Sequence, residues 1–359
     1  MTGKIVNAFL LVALIGCFPR GYSQEEDLLS AVPLVDTLNQ SNLQDAFRIL
    51  QRRYVGQDQL SYVEMNRAAL EGLLGRLGPG AQLLPEEEGR GEKATYRLVS
   101  ELISEDVAYI RPARVAGVEL KSFDTALRGF ARSPASALVL DLRCPAGTKG
   151  GGDFADTAAF AGRFLPKGTA LFTVERAGDN GRPQLYSTQK KPAWKKQLAV
   201  LVDEDTGAAG EVLAVCLRAH LGCIVVGAKT SGLSADYEEV PIGPNARLRY
   251  AVAEAVFEDG TKIFGNGVAP DIESRLNPEA KVRIFQESQT EGVGKFVFEA
   301  ERPRLNEAAL VARTDPELPF RLRKGAVDPD PVPDYDRVVQ SAVDALVARA
   351  VFEPAADDE

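Results

Sequence analysis

The sequence predicts an α/β protein, because short apolar runs typical of buried strands alternate with a helical pattern. Three such runs lie at 137–142, 198–202 and 223–227. Between the last two runs, residues 208–220 have the apolar spacing of a helix. Since this strand–helix–strand order joins two parallel strands, it predicts a βαβ unit. Residues 247–256 alternate apolar and polar side chains, as in a half-buried strand.

Helical patterns flank this region on both sides. Apolar residues recur at helical spacing over 43–54 and 65–77, and again over 338–347. The last of these helices is expected to pack on the core. The predicted organisation is a signal peptide at 1–23, a helical segment and linker at 24–104, an α/β core at 105–276 and a helical extension at 277–359.

The first 23 residues are typical of an export signal. Lys4 precedes an apolar stretch over 8–16, which is too short to span a bilayer but suits a secretory signal. The stretch ends in Leu-Ile-Gly-Cys17, which resembles a bacterial lipobox with Cys17 as the lipidated residue; cleavage after Ser23 is the alternative. We therefore expect a periplasmic or cell-envelope protein, with any membrane contact through that lipid, or else a secreted one.

Composition excludes several classes of function. The chain has 359 residues, 45% of them hydrophobic and 26% charged, which indicates a globular protein with a core. Its net charge of −9 argues against a nucleic-acid partner. The single histidine, His220, excludes any site that needs two imidazoles from one chain, and we expect neither a metal nor a cofactor.

Four cysteines occur, at 17, 144, 216 and 223. Without Cys17 three remain, so they cannot all pair within the chain, and a disulfide framework is not expected. Cys216 and Cys223 are interpreted as small buried residues, with a disulfide between them as the alternative.

Several motifs follow one another between residues 141 and 271, within a longer stretch from about 41 to 273 that begins with the helical patterns. They are Asp141-Leu142-Arg143 with Gly150-Gly151-Gly152, Phe164-Leu165-Pro166, the segment 201–211 ending in Glu211, Gly227-x-x-Thr230-x-Gly232, and Gly265-Asn266-Gly267-Val268-Ala269-Pro270-Asp271. In this order they resemble the motifs of the tail-specific, or carboxyl-terminal processing, serine proteases. The resemblance implies a crotonase/ClpP-like core of β-β-α units, serine-type peptidase chemistry, and an extended peptide or a protein's C-terminal segment as the partner.

The sequence departs from that family in three ways. Only about 25 residues separate Leu84 from Tyr109, far fewer than an inserted PDZ domain needs. The glycine-rich loop after Asp141 is longer than usual for the family, with Cys144 near the position of the usual asparagine. The third departure concerns the catalytic pair itself.

The family motifs place a serine three residues before Glu211 and a lysine directly after Gly232. Those positions hold Ala208 and Leu233. A serine hydroxyl needs a base to remove its proton, and a desolvated lysine can supply that base. A methyl group cannot attack a carbonyl and an isobutyl group cannot accept a proton. The resemblance therefore implies an inactive pair.

Groove walls and backbone donors do not depend on the missing serine. The candidate peptide-groove and oxyanion-like residues are Gly151, Gly152, Gly207, Ala208, Ala209, Gly232, Leu233 and Ser234.

Three residues are weak candidates for a relocated catalytic group. Thr206 is the nearest hydroxyl but is interpreted as a helix N-cap, and Lys229 is interpreted as exposed. Cys144 could act as a thiol nucleophile with His220 as its base. However, His220 lies about 18 Å along the helix that begins at Ala208.

Three hypotheses follow. The favoured one is an exported pseudoprotease, a protein with the protease fold that binds peptide or protein without cutting it. The second is a peptidase that uses relocated residues. The third is a structural envelope module whose groove is filled.

Overall fold

The structure is a computed structural model, and it describes residues 37–56, 59–85, 96–143, 154–178, 183–297 and 335–352. The chain forms two compact units that divide between Leu73 and Leu74. The predicted signal peptide, Cys17, Cys144, Gly151 and Gly152 lie outside the described residues.

The first unit contributes a helix, α1 (Gln40–Arg53), and most of a second, α2 (Tyr62–Leu77). Asn39 caps α1, because its side-chain oxygen accepts a hydrogen bond of 2.9 Å from the Asn42 amide. Neither helix has a buried residue. Apolar side chains of both are exposed, Phe47 and Leu73 among them.

The elements of the second unit follow in chain order. They are β1 (Ala81–Pro85), β2 (Val99–Leu102), β3 (Val107–Arg111), α3 (Leu120–Ala131), β4 (Ala137–Asp141), α4 (Phe154–Ala161), β5 (Ala170–Arg176), β6 (Gln184–Ser187), β7 (Gln197–Val202), α5 (Ala208–Leu221), β8 (Ile224–Gly227), β9 (Ala235–Pro241), β10 (Ala246–Val256), β11 (Ile272–Glu273), α6 (Pro278–Glu291) and α7 (Arg337–Phe352).

Two sheets organise these strands. The larger has the order β11-β8-β7-β4-β3-β2 and is parallel except for β2, which runs antiparallel to β3. The smaller is antiparallel, with the order β1-β10-β5-β6 and with β9 also paired to β10. The α/β fold class is confirmed, and so is the parallel β7–α5–β8 unit, in which Ala199 pairs with Ile224.

The central strands of the larger sheet, β3, β4, β7 and β8, are buried on both faces, which explains why they are mostly apolar. Successive residues of a strand point to opposite faces. In β4, Leu138 and Leu140 join the main core with α5 residues such as Val212. Val139 points the other way and packs in a second core.

That second core is built largely by α7. Val338, Val339, Ala342, Val343 and Leu346 of this helix are buried in it. The last amphipathic helix therefore covers the second face of the sheet, as the sequence predicts.

The N-terminal region differs in part from the sequence interpretation. The sequence predicts helices and a linker over residues 24–104, but β1 and β2 also lie there. Both are edge strands that pair antiparallel to β10 and β3. Their short patterns are half-buried, and pairing with partners distant in sequence decides their structure. Within the described part of the chain, no helix has both the length and the hydropathy needed to cross a membrane.

Candidate functional site

The start of helix α5 is the centre of the candidate site. Gly207 is the N-cap with φ −74° and ψ 168°, and Ala208 is the first helical residue. The helix ends at Gly222, whose φ of 58° is the left-handed conformation that glycine adopts readily. Ala208 is buried, with 1% of its surface exposed. A buried methyl group therefore occupies the position that the family motif gives to a nucleophile.

Glu211 joins this helix to the segment that contains Leu233. The carboxylate accepts a hydrogen bond of 2.6 Å from the Gly232 amide. Burial raises the pKa of Glu211, while hydrogen bonds from the Thr230 hydroxyl and from the amides of residues 232–234 lower it. One carboxylate of α5 is thus bonded to the residue directly before Leu233.

Residues 230–234 are also held from their other side. Thr230 exchanges hydrogen bonds with Val268, its amide donating to the carbonyl at 3.1 Å and its hydroxyl accepting from the amide at 2.8 Å. The Gly265 amide donates to the Gly232 carbonyl at 2.9 Å. Gly232 has φ +74°, so the chain turns sharply just before Leu233. The motif residues Thr230 and Gly232 therefore hold the loop through three hydrogen bonds, none of which involves residue 233.

The described groove candidates are almost all inaccessible. Leu233 is half-buried. The others are buried, and they are Gly207, Ala208, Ala209, Gly232 and Ser234. The backbone can still offer polar contacts, since the first turn of a helix leaves amides without intrahelical acceptors.

The comparisons with known proteins agree with the motifs. The model of peptidase family S41 matches residues 106–274. This match identifies residues 106–274 as a domain of the tail-specific protease family.

The curated relatives are bacterial proteases, and the similarity covers about half of this chain. The chain is 24% identical over 180 residues to a probable CtpA-like serine protease of Staphylococcus aureus strain N315, covering 50% of this chain and 36% of the relative. It is 22% identical over 191 residues to the carboxy-terminal processing protease CtpA of Bacillus subtilis, covering 53% of this chain and 40% of the relative. The chain thus spans less than half the length of these relatives.

Solved structures show a more distant likeness. The photosystem II D1 C-terminal processing protease has a TM-score of 0.41 and 21% identity, covering 60% of this chain and 52% of its own. A putative peptidase from Parabacteroides merdae has a TM-score of 0.47 and 15% identity, covering 74% and 87%.

Of the substitute candidates, Thr206 and Lys229 are among the described residues and Cys144 is not. The buried Thr206 hydroxyl accepts a hydrogen bond of 2.9 Å from the Asp203 amide and so closes the turn before α5. The N-cap is Gly207, so the interpretation of Thr206 as the cap is wrong by one residue. Lys229 is exposed, as predicted, and His220 is exposed in the last turn of α5.

The Asp141-Leu142-Arg143 motif forms a buried ion network. Asp141 accepts from the Tyr109 hydroxyl at 2.6 Å and from Arg143 at 2.7 Å. Arg143 also pairs with Asp336 at 2.8 Å, and Asp336 accepts from the Val338 amide at the start of α7. This network ties the carboxyl end of β4 to the C-terminal helix.

Electrostatics in this network favour the charged forms. Burial raises the pKa of Asp141, but the Arg143 guanidinium outweighs it, so the pKa lies below the ordinary value of 3.8. Burial lowers the pKa of Arg143, but the negative charges of Asp141 and Asp336 together raise it by a larger amount, so the guanidinium stays charged.

Sequence reasoning missed Lys281 as a buried lysine near α5. Its ammonium lies 2.5 Å from a carboxylate oxygen of Asp203 and 2.8 Å from one of Asp205. The ammonium of this lysine is therefore engaged in ion pairs with two carboxylates of the turn before α5. The acidic residues at 203 and 205, directly after a buried strand, were the available signal.

The cysteines and acidic groups of the described residues form no site of their own. Cys216 and Cys223 are free and buried, so the alternative of a disulfide between them is not what the structure has. Burial raises the pKa of each thiol to about 12. In the described ranges, no group of three or more histidine, cysteine, aspartate or glutamate residues is arranged to hold a metal.

Proposed function

We propose that this protein is an exported pseudoprotease that binds an extended peptide or a protein's C-terminal segment without cutting it. The observation that carries the proposal is Ala208 at the first position of α5, with Leu233 where the base would lie. Export rests on the apolar signal-like stretch before Cys17.

Loss of both groups removes the chemistry of acyl transfer. In subtilisin, the reference case, loss of the nucleophile lowers turnover by about 10⁶-fold. The residual rate over water comes from binding and oxyanion stabilisation alone. A chain with neither a hydroxyl nor a base at these positions is therefore expected to bind a peptide without cleaving it.

The preserved scaffold supports binding. Glu211 still accepts from the Gly232 amide, and Thr230 still exchanges hydrogen bonds with Val268. These contacts hold the loop before Leu233 in place. The loop therefore loses less conformational entropy when a peptide binds.

One observation favours a second candidate, a structural envelope module with a filled groove. Ala208 is 1% exposed, so a peptide can reach the start of α5 only if neighbouring segments move. In this second candidate those segments stay closed and no peptide enters.

Binding is tested with reduced, carboxymethylated lactalbumin labelled with fluorescein, an unfolded probe whose anisotropy rises when it binds. The half-buried Leu233→Arg variant is compared with Ile242→Arg, a matched change at an exposed apolar residue. Pseudoprotease binding predicts that wild type and Ile242→Arg bind the probe and that Leu233→Arg does not. Absence of binding by the wild type would favour the filled module.

Catalysis is tested with a fluorophosphonate probe and labelled casein. We expect neither labelling nor digestion by the wild type. The double variant Ala208→Ser/Leu233→Lys is expected to gain labelling, whereas each single variant is not, because a hydroxyl without a base and a base without a hydroxyl both stay inactive. Labelling of the wild type at any residue would instead support a peptidase with relocated groups.

A further inference from the structure

A groove between helix α4 and strand β6 lies outside the candidate site. We call it the α4–β6 groove; its volume is about 240 Å³. Its lining includes Ala155, Ala158, Ala159, Gly162, Leu185 and Tyr186. On the helix side these are small residues, so a backbone can approach α4 closely. Lys190 and Gln189 also line it.

The groove lies on the opposite side of α4 from the candidate site. Thr157 marks the side that faces α5, because its hydroxyl donates to the Ala209 carbonyl at 3.4 Å. At about 100° per residue, the three groove residues within α4, Ala155, Ala158 and Ala159, are centred about 150° around the helix from Thr157. A ligand in the groove would therefore be separated by the helix from the start of α5.

Strand β6 ends the smaller sheet. It pairs with β5 on one side, where Phe172 lies opposite Tyr186, and the sheet order ends there among the described strands. Leu185 on this strand is 62% exposed. An edge strand of this kind presents backbone donors and acceptors to which an extended peptide can add.

The segment that contains β6 is basic although the chain is acidic, and the acidic residue whose charge interacts with Lys190 is Asp124, which is paired with Arg163. Residues 183–202 contain four lysines and no acidic residue, although the net charge is −9. Lys190 and Lys191 are exposed. Arg163, also in the groove lining, donates to Asp124 at 2.7 Å and to the Ala159 carbonyl at 2.6 Å. The exposed lysines therefore supply the positive charge available to a ligand.

We propose that the α4–β6 groove is a docking surface for an extended acidic peptide, which adds to β6 as a further strand. The small residues of α4 leave room for its backbone, and its carboxylates lie beside Lys190 and Lys191. This surface is independent of the pair at Ala208 and Leu233, so its function does not depend on whether that site binds or cuts.

The test uses two fluorescein-labelled peptides, one alternating glutamate with valine and one alternating lysine with valine. The glutamate peptide is expected to bind and the lysine peptide not to. Lys190→Glu should weaken binding about tenfold, since reversal replaces an attraction by a repulsion. Lys295→Glu changes the net charge equally at an exposed lysine of the described chain outside the groove lining, and it should leave binding unchanged.

A second variant tests the groove without altering charge. Ala155 is exposed in the first turn of α4, and Ala155→Trp should fill the groove and weaken binding of the glutamate peptide about tenfold or more. Circular dichroism shows whether each variant is folded. The proposal would be overturned if the folded Lys190→Glu and Ala155→Trp variants bound the glutamate peptide as tightly as the wild type does. Self-association in sedimentation velocity that Ala155→Trp abolishes would also overturn it, because a second copy would then occupy β6.

Discussion

Glu211 on helix α5 accepts a 2.6 Å hydrogen bond from the Gly232 amide, and the two residues are 21 positions apart in the chain. This contact holds the helix start that contains Ala208 beside the loop that contains Leu233. The bond uses a carboxylate and a backbone amide only. The Glu211 carboxylate therefore links the two segments to which the motifs assign the serine and the lysine, and which hold Ala208 and Leu233 here.

Gly232→Ala tests how tightly the loop is packed. A Cβ at this position would lie 2.8 Å from the Gly267 nitrogen and 2.9 Å from the Asn266 nitrogen, and backbone atoms cannot rotate away. We expect about 1–2 kcal/mol from the left-handed φ and about 1–3 kcal/mol more from the clash. Urea denaturation gives the loss in free energy of unfolding.

Gly243→Ala is the matched control. Gly243 has φ +72°, almost the same as Gly232, but a methyl group added there would have no other atom within 4 Å. The free energy of unfolding of this variant should fall only by the contribution of the left-handed φ, about 1–2 kcal/mol. Equal destabilisation by the two variants would contradict the packing described around Gly232.

Asp141→Asn tests the ion network at the end of β4. Removing this carboxylate leaves the buried Arg143 with Asp336 as its remaining ionic partner, and we expect a loss of about 3 kcal/mol at neutral pH. Urea denaturation of wild type and variant measures the difference.

The same pair of proteins tests the pH dependence. The pKa of Asp141 is below 3.8 in the folded chain, so the carboxylate stabilises the fold above its ordinary pKa. That stability is lost as pH falls through the lowered folded pKa. The gap between wild type and Asp141→Asn should therefore shrink from neutral pH to about pH 3. A gap that stays constant would show that the lowered pKa is wrong.

Cys216 and Cys223 are expected to be chemically silent in the folded protein. Their thiols are buried and their pKa values are raised to about 12, so thiolate is scarce at neutral pH. Iodoacetamide labelling followed by peptide mass mapping should modify both only in denaturant. Labelling of either thiol at the same rate with and without denaturant would refute the buried placement.

Much of the fold could be predicted from sequence because its strands are buried on both faces. Residues 137–142 and 198–202 are apolar almost without interruption, and such runs have few alternatives in a soluble protein. The helix that follows Gly207 was equally clear from its periodicity. The short strands β1 and β2 were not, because each is defined by an antiparallel partner far away in sequence.

The candidate site divides in a similar way. Motif spacing alone assigns positions 208 and 233 to the site, and the sequence shows alanine and leucine there. Other contacts join residues that are far apart in the sequence. Glu211 accepts a hydrogen bond from Gly232, and Arg143 forms an ion pair with Asp336. No local pattern encodes those encounters.

Residue identity alone establishes which chemistry this protein lacks at positions 208 and 233, since the side chains of alanine and leucine have no lone pair or acidic proton to exchange wherever they lie. Burial and pairing emerge only when the chain is folded: the helix start at Ala208 is buried, Lys281 pairs with two carboxylates, and a groove forms between α4 and β6. The reason is physical, because functional groups are fixed by covalent identity, whereas burial, pairing and access depend on which distant segments pack together.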